Sequence, residues 1–142
     1  MTPELDDTWE PLRSAAFAAK GAAHAPYSNF RVGASLETTD GRRYVGCNIE
    51  NASYPVTMCA ERVALGSALV DGAAEFQRLF LCADSPDPTP PCGMCRQALA
   101  EFAPDLLIVS EGTSGARMEW LLSDLLPAMF RLQPSELDGG AG

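Results

Sequence analysis

The sequence is poor in the residues on which several common enzyme mechanisms and nucleic-acid-binding surfaces depend. Its only histidine is His24, which we interpret as a helix-end residue, so little material is left for a Ser-His-Asp or Cys-His mechanism. Its only lysine is Lys20, and ten basic residues stand against nineteen acidic ones, which gives a net charge of −9. Because proteins that bind polynucleotides neutralise phosphates with basic surfaces, we expect no nucleic-acid partner.

Long apolar runs are also absent. No uninterrupted apolar stretch reaches the ~18 residues of a membrane-spanning helix, and Met1–Glu4 shows neither the basic nor the apolar region of a signal peptide. The five cysteines are an odd number, and their spacing does not resemble a disulfide framework. We therefore expect a cytoplasmic protein with reduced thiols and no membrane partner.

The chain is long and apolar enough to form one globular domain with a substantial core. It has 142 residues, of which 46% are hydrophobic. We assign residues 1–142 to a single domain, with its core at about 9–131. The last dozen residues, ending in Gly139–Gly142, are expected to form a frayed tail without chemistry.

The spacing of apolar residues predicts alternating helices and strands. A first helix, capped by Asp7 or Thr8, ends before the Ala25–Ser28 break; a second runs from Thr57 to about Asp71; a third follows Pro91 and ends before Pro104. Strands are predicted at 32–36, 44–47, 79–83 and 106–110, with 118–120 as a candidate fifth. This alternation predicts an α/β layered sandwich around a central sheet.

Two short motifs carry the chemistry. Cys59-Ala60-Glu61 and, about thirty residues later, Pro91-Cys92-Gly93-Met94-Cys95 supply three thiolates and one carboxylate near predicted helix N-termini. Three protein ligands are typical of a catalytic zinc ion whose fourth position stays open for water. Glu61 lies two residues from a ligand, so we expect it to move the protons of that water. The pattern matches the signature of zinc-dependent nucleobase deaminases.

The charge of such a cluster requires compensation. Thiolates are stabilised at helix N-termini by free amide hydrogens and by the helix dipole. Three thiolates around one Zn²⁺ leave a charge of −1, which would weaken the ability of the metal to acidify water. Arg62 and Arg96 each directly follow a functional residue, and both are candidates for balancing this charge.

Each part of the pattern also has a simpler interpretation. A single C-x-x-C pair is often a redox pair or half of a structural zinc site, for which Cys47 or Cys82 could supply a fourth sulfur. Both, however, lie in apolar strand segments, where a free cysteine usually behaves as a small hydrophobe. Glu61 alone could simply stabilise the first turn of a helix. The coincidence of the signals favours the catalytic site.

Further motifs resemble those of the small homotetrameric cytidine deaminases. The resemblance covers about residues 9–131 and follows the family's order through Ala25–Ala34, Gly46–Tyr54, Cys59–Arg62, Pro91–Gln97 and Leu125–Phe130. It implies a three-layer α/β/α sandwich with a central mixed five-stranded sheet. It also implies one zinc ion per chain and a homotetramer whose subunits share their sites.

The resemblance also implies a role for individual residues. Glu61 would be the proton shuttle, and Asn48 and Glu50 would bind the ribose 3′-hydroxyl, which an amide and a carboxylate together can satisfy. The remaining implied roles are zinc ligation by Cys59, Cys92 and Cys95, contact with the pyrimidine ring by Phe30, recognition of its polar edge by the backbone of Ala60, and contact with neighbouring subunits' sites by Ala52, Tyr54 and Phe130.

The implied reaction is hydrolytic deamination of cytidine and 2′-deoxycytidine to uridine and 2′-deoxyuridine, with release of ammonia, in pyrimidine salvage. Zinc would activate the water, and Glu61 would protonate the ring nitrogen and then the departing amine. Two alternatives stay open: the same chemistry on a nucleoside antibiotic such as blasticidin or on a polynucleotide base, and a non-catalytic zinc-stabilised interaction module. Asn48-Ile49-Glu50 and the acidic balance favour free nucleosides.

Overall fold

The structure is a computed structural model that describes residues 2–133. This part of the chain forms five strands, four α-helices and two short 3₁₀ helices, Asp7–Trp9 and Tyr54–Val56. The predicted glycine-rich tail lies outside the described residues. The helices are α1 (Glu10–Lys20), α2 (Ala60–Val70), α3 (Gly93–Ala100) and α4 (Leu122–Leu125), and the strands are β1 (Val32–Thr38), β2 (Arg43–Cys47), β3 (Phe76–Ala83), β4 (Leu107–Glu111) and β5 (Arg117–Leu121).

The five strands form one mixed sheet in the order β2-β1-β3-β4-β5. Strand β1 pairs antiparallel with β2 and β3, and β4 pairs antiparallel with β5. The central pair, β3 and β4, is parallel, and α3 lies in the crossover between them. The carboxyl end of β3 therefore leads directly into the connector that carries Cys92 to α3.

The alternation of side chains along the strands divides the core into two layers. On one face, α1 packs Leu12 and Ala16 against Phe80, Cys82 and neighbouring residues. The other face is covered by α2, α3 and α4, and its cluster includes Leu36, Leu81, Ala64, Leu99 and Leu122. The predicted three-layer sandwich with a mixed five-stranded sheet is confirmed.

Two glycines allow the helices to approach the sheet. A Cβ atom at Gly46 would lie 2.2 Å from the carbonyl oxygen of Ala60 and 2.6 Å from the amide nitrogen of Ala64. A Cβ at Gly33 would lie 2.0 Å from the carbonyl oxygen of Ala16. Gly46 therefore fixes how closely the N-terminal turn of α2, which carries Glu61, packs on β2.

Several element boundaries differ from the sequence prediction, and three of the differences have an identifiable position in the fold. Asp6, not Asp7 or Thr8, caps the first helical turn, because its carboxylate accepts from the amide of Thr8. Helix α2 begins at Ala60 and not at Thr57, because Met58 instead pairs through its backbone with Ile49. Strand β3 begins three residues earlier than expected, at Phe76.

Helix α4 was not predicted from the sequence. No helix within residues 2–133 is long and apolar enough to cross a membrane.

Candidate metal centre and active site

Three cysteines converge where two helices begin. Cys59 is the N-cap of α2, Cys92 is the N-cap of α3, and Cys95 lies in the first turn of α3. Their Sγ atoms all lie within 4.8 Å of one another, and those of Cys59 and Cys92 are 3.7 Å apart. Tetrahedral coordination with Zn–S bonds of roughly 2.3 Å requires S···S separations of roughly 3.8 Å. The donor set therefore fits zinc in identity and in spacing.

The environment already favours a thiolate at this cluster. A hydrogen bond from the Cys95 thiol is the main reason why the pKa of Cys59 falls to about 5; burial opposes the change and Arg62 assists it. The same hydrogen bond, together with burial, raises the pKa of Cys95 above its usual range. Negative charge therefore concentrates on Cys59, and a metal cation can displace the remaining thiol protons.

The two candidate charge-balancing arginines make different contacts. Arg62 donates through Nη2 to the Cys59 sulfur at 3.8 Å and to the carbonyl oxygen of Thr57 at 3.2 Å. Arg96 instead donates through Nε to the carbonyl of Pro91 at 2.8 Å and through Nη1 to that of Leu125 at 3.1 Å. Arg62 thus touches the sulfur cluster, whereas the hydrogen bonds of Arg96 connect α3 to the segments before and after it.

Glu61 is a buried carboxyl group beside the cluster. It lies in the first turn of α2 and is 5% exposed. Burial raises the pKa of Glu61 to about 7, and the charge of Cys59 contributes to the rise. A carboxyl group with such a pKa can accept and release a proton near neutral pH, as a general acid-base catalyst must.

A cavity of about 210 Å³ opens beside the cluster. Its walls combine apolar side chains with a small number of polar groups, as in most small-molecule sites. None of its lining residues is basic. The lining residues are Phe30, Val32, Asn48, Thr57, Met58, Cys59, Ala60, Glu61, Leu81, Ala83, Thr89, Pro90 and Cys92.

Asn48 is fixed at the wall of this cavity by the start of β1. Its Oδ1 accepts from the amide of Val32 at 2.8 Å, and its Nδ2 donates to the carbonyl of Phe30 at 2.7 Å. A 180° rotation of the side-chain amide would place Nδ2 against the N–H of Val32 and Oδ1 against the carbonyl oxygen of Phe30, so the observed orientation is fixed. One N–H and one lone pair therefore remain in a fixed orientation.

Glu50 is oriented by a neighbouring turn. Its Oε1 accepts from the amides of Tyr27 and Ser28 at 3.0 and 3.2 Å. The hydrogen bonds with Ser28 lower the pKa of Glu50 in spite of partial burial. The backbone between Asn48 and Glu50 is bridged to residue 24 on one side and to Met58 on the other, which ties this segment to the metal cluster.

Four of the predicted substrate-contact residues do not line the cavity of this chain. Glu50, Ala52, Tyr54 and Phe130 all lie outside its wall. The rings of Tyr54 and Phe130 are 73% and 68% exposed, and Tyr54 packs edge-on against Tyr27. Phe30, Asn48 and Ala60, in contrast, share one wall with Cys59 and Glu61.

Several lining residues were not predicted from the sequence. Thr89 and Pro90 come from the connector after β3, and Leu81 and Ala83 come from the end of that strand. In the sequence, only their closeness to Cys92 indicated a place near the metal site. Their place at the cavity depends on the pairing of β3 with β1 and β4, which no local pattern encodes.

The other two cysteines do not join the metal cluster. Among residues 2–133, only Cys59, Cys92 and Cys95 form a group with metal-binding spacing. Cys82 is fully buried on the α1 face of the sheet, where burial raises the pKa of its thiol to about 11. Cys47 ends β2. A structural four-sulfur site therefore has no support in this geometry.

The fold and the cysteine cluster define a zinc-binding deaminase. The model of the cytidine and deoxycytidylate deaminase zinc-binding region matches residues 8–111. The chain belongs to this zinc-dependent family, and zinc is its metal cofactor.

Individual relatives agree with this assignment. A cytidine deaminase from Halalkalibacterium halodurans is 44% identical over 116 residues, which cover 81% of this chain and 88% of the relative. The crystal structure of cytidine deaminase from Burkholderia pseudomallei has a TM-score of 0.81 and 46% identity, covering 84% of this chain and 97% of that one. A blasticidin-S deaminase from Bacillus cereus is 31% identical over 107 residues, or 70% of this chain and 76% of that protein. The family resemblance inferred from the motifs is confirmed.

Proposed function

We propose that this chain deaminates cytidine and 2′-deoxycytidine hydrolytically, giving uridine and 2′-deoxyuridine with release of ammonia, as a step in pyrimidine salvage. The observation that carries the proposal is the buried Glu61 beside three converging thiols, with Glu61, Cys59 and Cys92 at the wall of one cavity. The relatives named as cytidine deaminases match most of the chain, which supports the same substrate class here.

The proposed metal ligands are Cys59, Cys92 and Cys95, one zinc ion per chain. When bound there, zinc supplies Lewis acidity that lowers the pKa of a water molecule at its open position. Arg62 offsets the excess negative charge through its contact with Cys59. Arg96, the second charge-balancing candidate, also fixes the first turn of α3 relative to Pro91.

Glu61 carries the protons. Its carboxylate accepts one from the attacking water and delivers it to the ring nitrogen next to the amino-bearing carbon, which makes that carbon electrophilic. The C–O bond forms, and Glu61 then transfers the proton of the new hydroxyl group to the amino group. The C–N bond breaks as ammonia leaves, and the hydroxyl oxygen becomes the carbonyl oxygen of the product. A pKa near 7 suits a group that must act in both directions.

The substrate is oriented by residues of the cavity wall and by Glu50, which lies outside that wall. In our proposal Phe30 contacts the pyrimidine ring, the backbone of Ala60 binds its polar edge, and Asn48 and Glu50 bind the ribose 3′-hydroxyl. The fixed orientation of both polar side chains supports the last assignment, because pre-oriented groups lose little entropy on binding.

A free nucleoside suits the cavity better than a nucleotide. No lining residue is basic. Arg31 is the basic residue next to Phe30, and its Nε donates at 2.8 Å to Asp84, a carboxylate that it shares with Lys20. A 5′-phosphate or a polynucleotide would therefore find no cation among the lining residues. A blasticidin-type substrate is the second candidate, favoured by the 31% identity to a blasticidin-S deaminase.

We further propose a homotetramer in which Ala52, Tyr54 and Phe130 contribute to neighbouring subunits' sites. The exposure of the rings of Tyr54 and Phe130, away from their own chain's cavity, supports this assembly. Reduced thiols at the metal centre favour a cytoplasmic location, and the continuous sheet supports treatment of the chain as one domain.

The decisive experiment is Glu61→Gln, which keeps size and hydrogen bonding but removes the proton carrier. We expect zinc content and fold to be unchanged, while kcat for cytidine falls about ten-thousandfold, the upper range for general acid-base groups. Turnover of blasticidin S and of a short cytosine-containing single strand is measured in parallel with the unmodified protein. Near-normal turnover by zinc-loaded Glu61→Gln protein would contradict the mechanism.

A further inference from the structure

Gln97 connects the metal-binding helix to the C-terminal segment through an unusual contact. It lies in α3, two residues after Cys95. Its Nε2 donates to the carbonyl oxygen of Phe130 at 3.0 Å, and its Oε1 accepts from the amide of Phe130 at 3.3 Å. One side-chain amide thus pairs with both backbone polar groups of one residue, as a neighbouring β-strand would do.

A second contact and apolar packing hold the same segment. Arg96, also in α3, donates to the carbonyl of Leu125 at 3.1 Å. Leu125, Leu126 and Met129 pack against the core cluster that contains Leu99 of α3. The backbone from residue 125 to residue 130 is therefore fixed relative to the helix that carries Cys92 and Cys95.

The ring of Phe130 takes no part in this attachment. It is 68% exposed and does not line the cavity of its own chain. The contacts of Gln97 involve only the backbone of residue 130, so they fix the direction of its Cα–Cβ bond and leave the ring uncovered. A large aromatic side chain whose backbone is fixed on both polar groups is ready to contact a separate surface with little loss of conformational freedom.

We propose that Gln97 is a positioning residue that presents the ring of Phe130 to the substrate cavity of a second copy of the chain. The inference rests on the proposed function, in which Phe130 belongs to a neighbour's site. It adds that α3, which holds two of the proposed metal ligands, also positions this ring. One helix therefore contributes to the metal centre of its own chain and to the substrate cavity of the second copy.

The test is a double-mutant cycle with Gln97→Met, which keeps the length of the side chain and removes both hydrogen bonds, and Phe130→Ala. Steady-state kinetics on cytidine are measured with zinc content and solution mass. For Gln97→Met we expect KM to rise about five- to tenfold, the order expected for two partly exposed neutral hydrogen bonds, with kcat and zinc content little changed. In the Phe130→Ala background the same substitution should change KM less than about twofold, because the ring that Gln97 positions is then absent.

Two further variants separate a specific effect from a general loss of structure. Gln97→Glu can still accept from the Phe130 amide but opposes its carbonyl oxygen, so we expect an intermediate KM. Gln77→Met is the matched control: Gln77 donates to Glu37 at 2.7 Å, and its loss should leave KM unchanged.

The outcomes are distinguishable. Equal effects of Gln97→Met with and without the Phe130 ring would overturn the inference, as would loss of zinc from Gln97→Met, because Gln97 would then act on the metal helix itself. A wild-type KM for Phe130→Ala would overturn both the inference and the shared-site part of the proposed function, while cytidine turnover by the unmodified protein would still stand.

Discussion

Two glutamates are buried to nearly the same degree on opposite faces of the sheet, yet their pKa values move in opposite directions. Glu61 and Glu111 are 5% and 4% exposed. Arg13 donates to Glu111 at 2.8 and 2.9 Å, and Arg117 donates at 2.7 Å. Burial opposes ionisation of Glu111, but the two arginines outweigh it and hold the pKa below its ordinary value. Burial instead raises the pKa of Glu61 to about 7.

The difference shows that burial alone does not decide the role of a carboxyl group. The ion pairs of Glu111 favour its ionised form, so we assign this group a structural role. No salt bridge joins Glu61 to a basic residue within residues 2–133, so its proton is free to exchange. The α1 face also carries the Arg78–Glu37 and Lys20–Asp84 ion pairs. The face covered by α2 and α3 instead carries the three clustered thiols and the cavity.

The strongest test of this division uses the same residue type on both faces. Cys92→Ala removes a proposed zinc ligand, so we expect the loss of bound zinc and of detectable cytidine turnover. Cys82→Ala, on the α1 face, should retain one zinc ion per chain and near-normal turnover, with a modest loss of stability from the small cavity. Metal analysis and steady-state kinetics on the two purified variants check both results.

The Cys47→Ala variant is a second control for the three-ligand assignment. It should also retain one zinc ion per chain. Loss of zinc from either control variant would indicate that a fourth sulfur takes part and would favour a structural metal site.

A second prediction asks whether Asn48 is a structural or a substrate-binding group. Its amide is bound to the backbone of Phe30 and Val32, yet the proposal also gives it the ribose hydroxyl. Asn48→Ala should lower kcat/KM for cytidine about ten- to hundredfold. With 3′-deoxycytidine, which lacks the hydroxyl group, the loss of kcat/KM should shrink to a few-fold, because only the displacement of Phe30 then contributes.

The wild-type protein assayed on both nucleosides is the control for this comparison. Equal losses on the two substrates would show that Asn48 acts only through the wall of the cavity and does not touch the sugar hydroxyl.

The two buried glutamates themselves give the third prediction. Glu111→Gln removes the buried anion that Arg13 and Arg117 share and leaves Arg13 only its longer 3.7 Å contact with Glu10. We therefore expect the free energy of unfolding to fall by about 1–3 kcal/mol with little change in turnover. Glu61→Gln replaces a buried carboxyl group that lacks an ion pair, so stability should be unchanged or slightly higher while turnover is lost. Urea unfolding of zinc-loaded proteins provides the measurement. A larger loss of stability for Glu61→Gln than for Glu111→Gln would contradict the comparison.

The metal cluster was predictable because its determinants are local. Cys59 and Glu61 lie at the start of one helix, and Cys92 and Cys95 lie at the start of another. The three cysteines give the number of metal ligands directly, because each thiolate supplies one. The alternation of apolar segments likewise predicted the layered fold, now confirmed. Each half of the cluster is a short local motif, and the convergence of the two halves was inferred from the deaminase signature that they form together.

Features that depend on long-range pairing were not predictable. One example is the pair of hydrogen bonds from Arg96 to the carbonyl oxygens of Pro91 and Leu125, since the partners of a long side chain depend on which segments pack beside it. The role of Arg96 in balancing the charge of the thiolates stays a prediction. The two hydrogen bonds between Gln97 and Phe130 join residues 33 positions apart, and no local sequence pattern indicates them. The Arg13–Glu111 pair depends in the same way on the docking of α1.

The smallest expected effect concerns Asp84, an ion-paired carboxylate near the edge of the cavity. Lys20 donates to it at 2.7 Å, and this hydrogen bond is the main reason why the pKa of Asp84 falls to about 2. A depressed folded-state pKa contributes stability above the unfolded value near 4, and that contribution is lost as the pH falls toward 2. The stability difference between the wild type and Asp84→Asn should therefore be about 1 kcal/mol or less at neutral pH and should shrink between roughly pH 4 and 2. Unfolding of both proteins across this range isolates the effect, because acid release of zinc affects them equally. A difference that does not depend on pH would show that the Lys20 pair contributes through packing and not through charge.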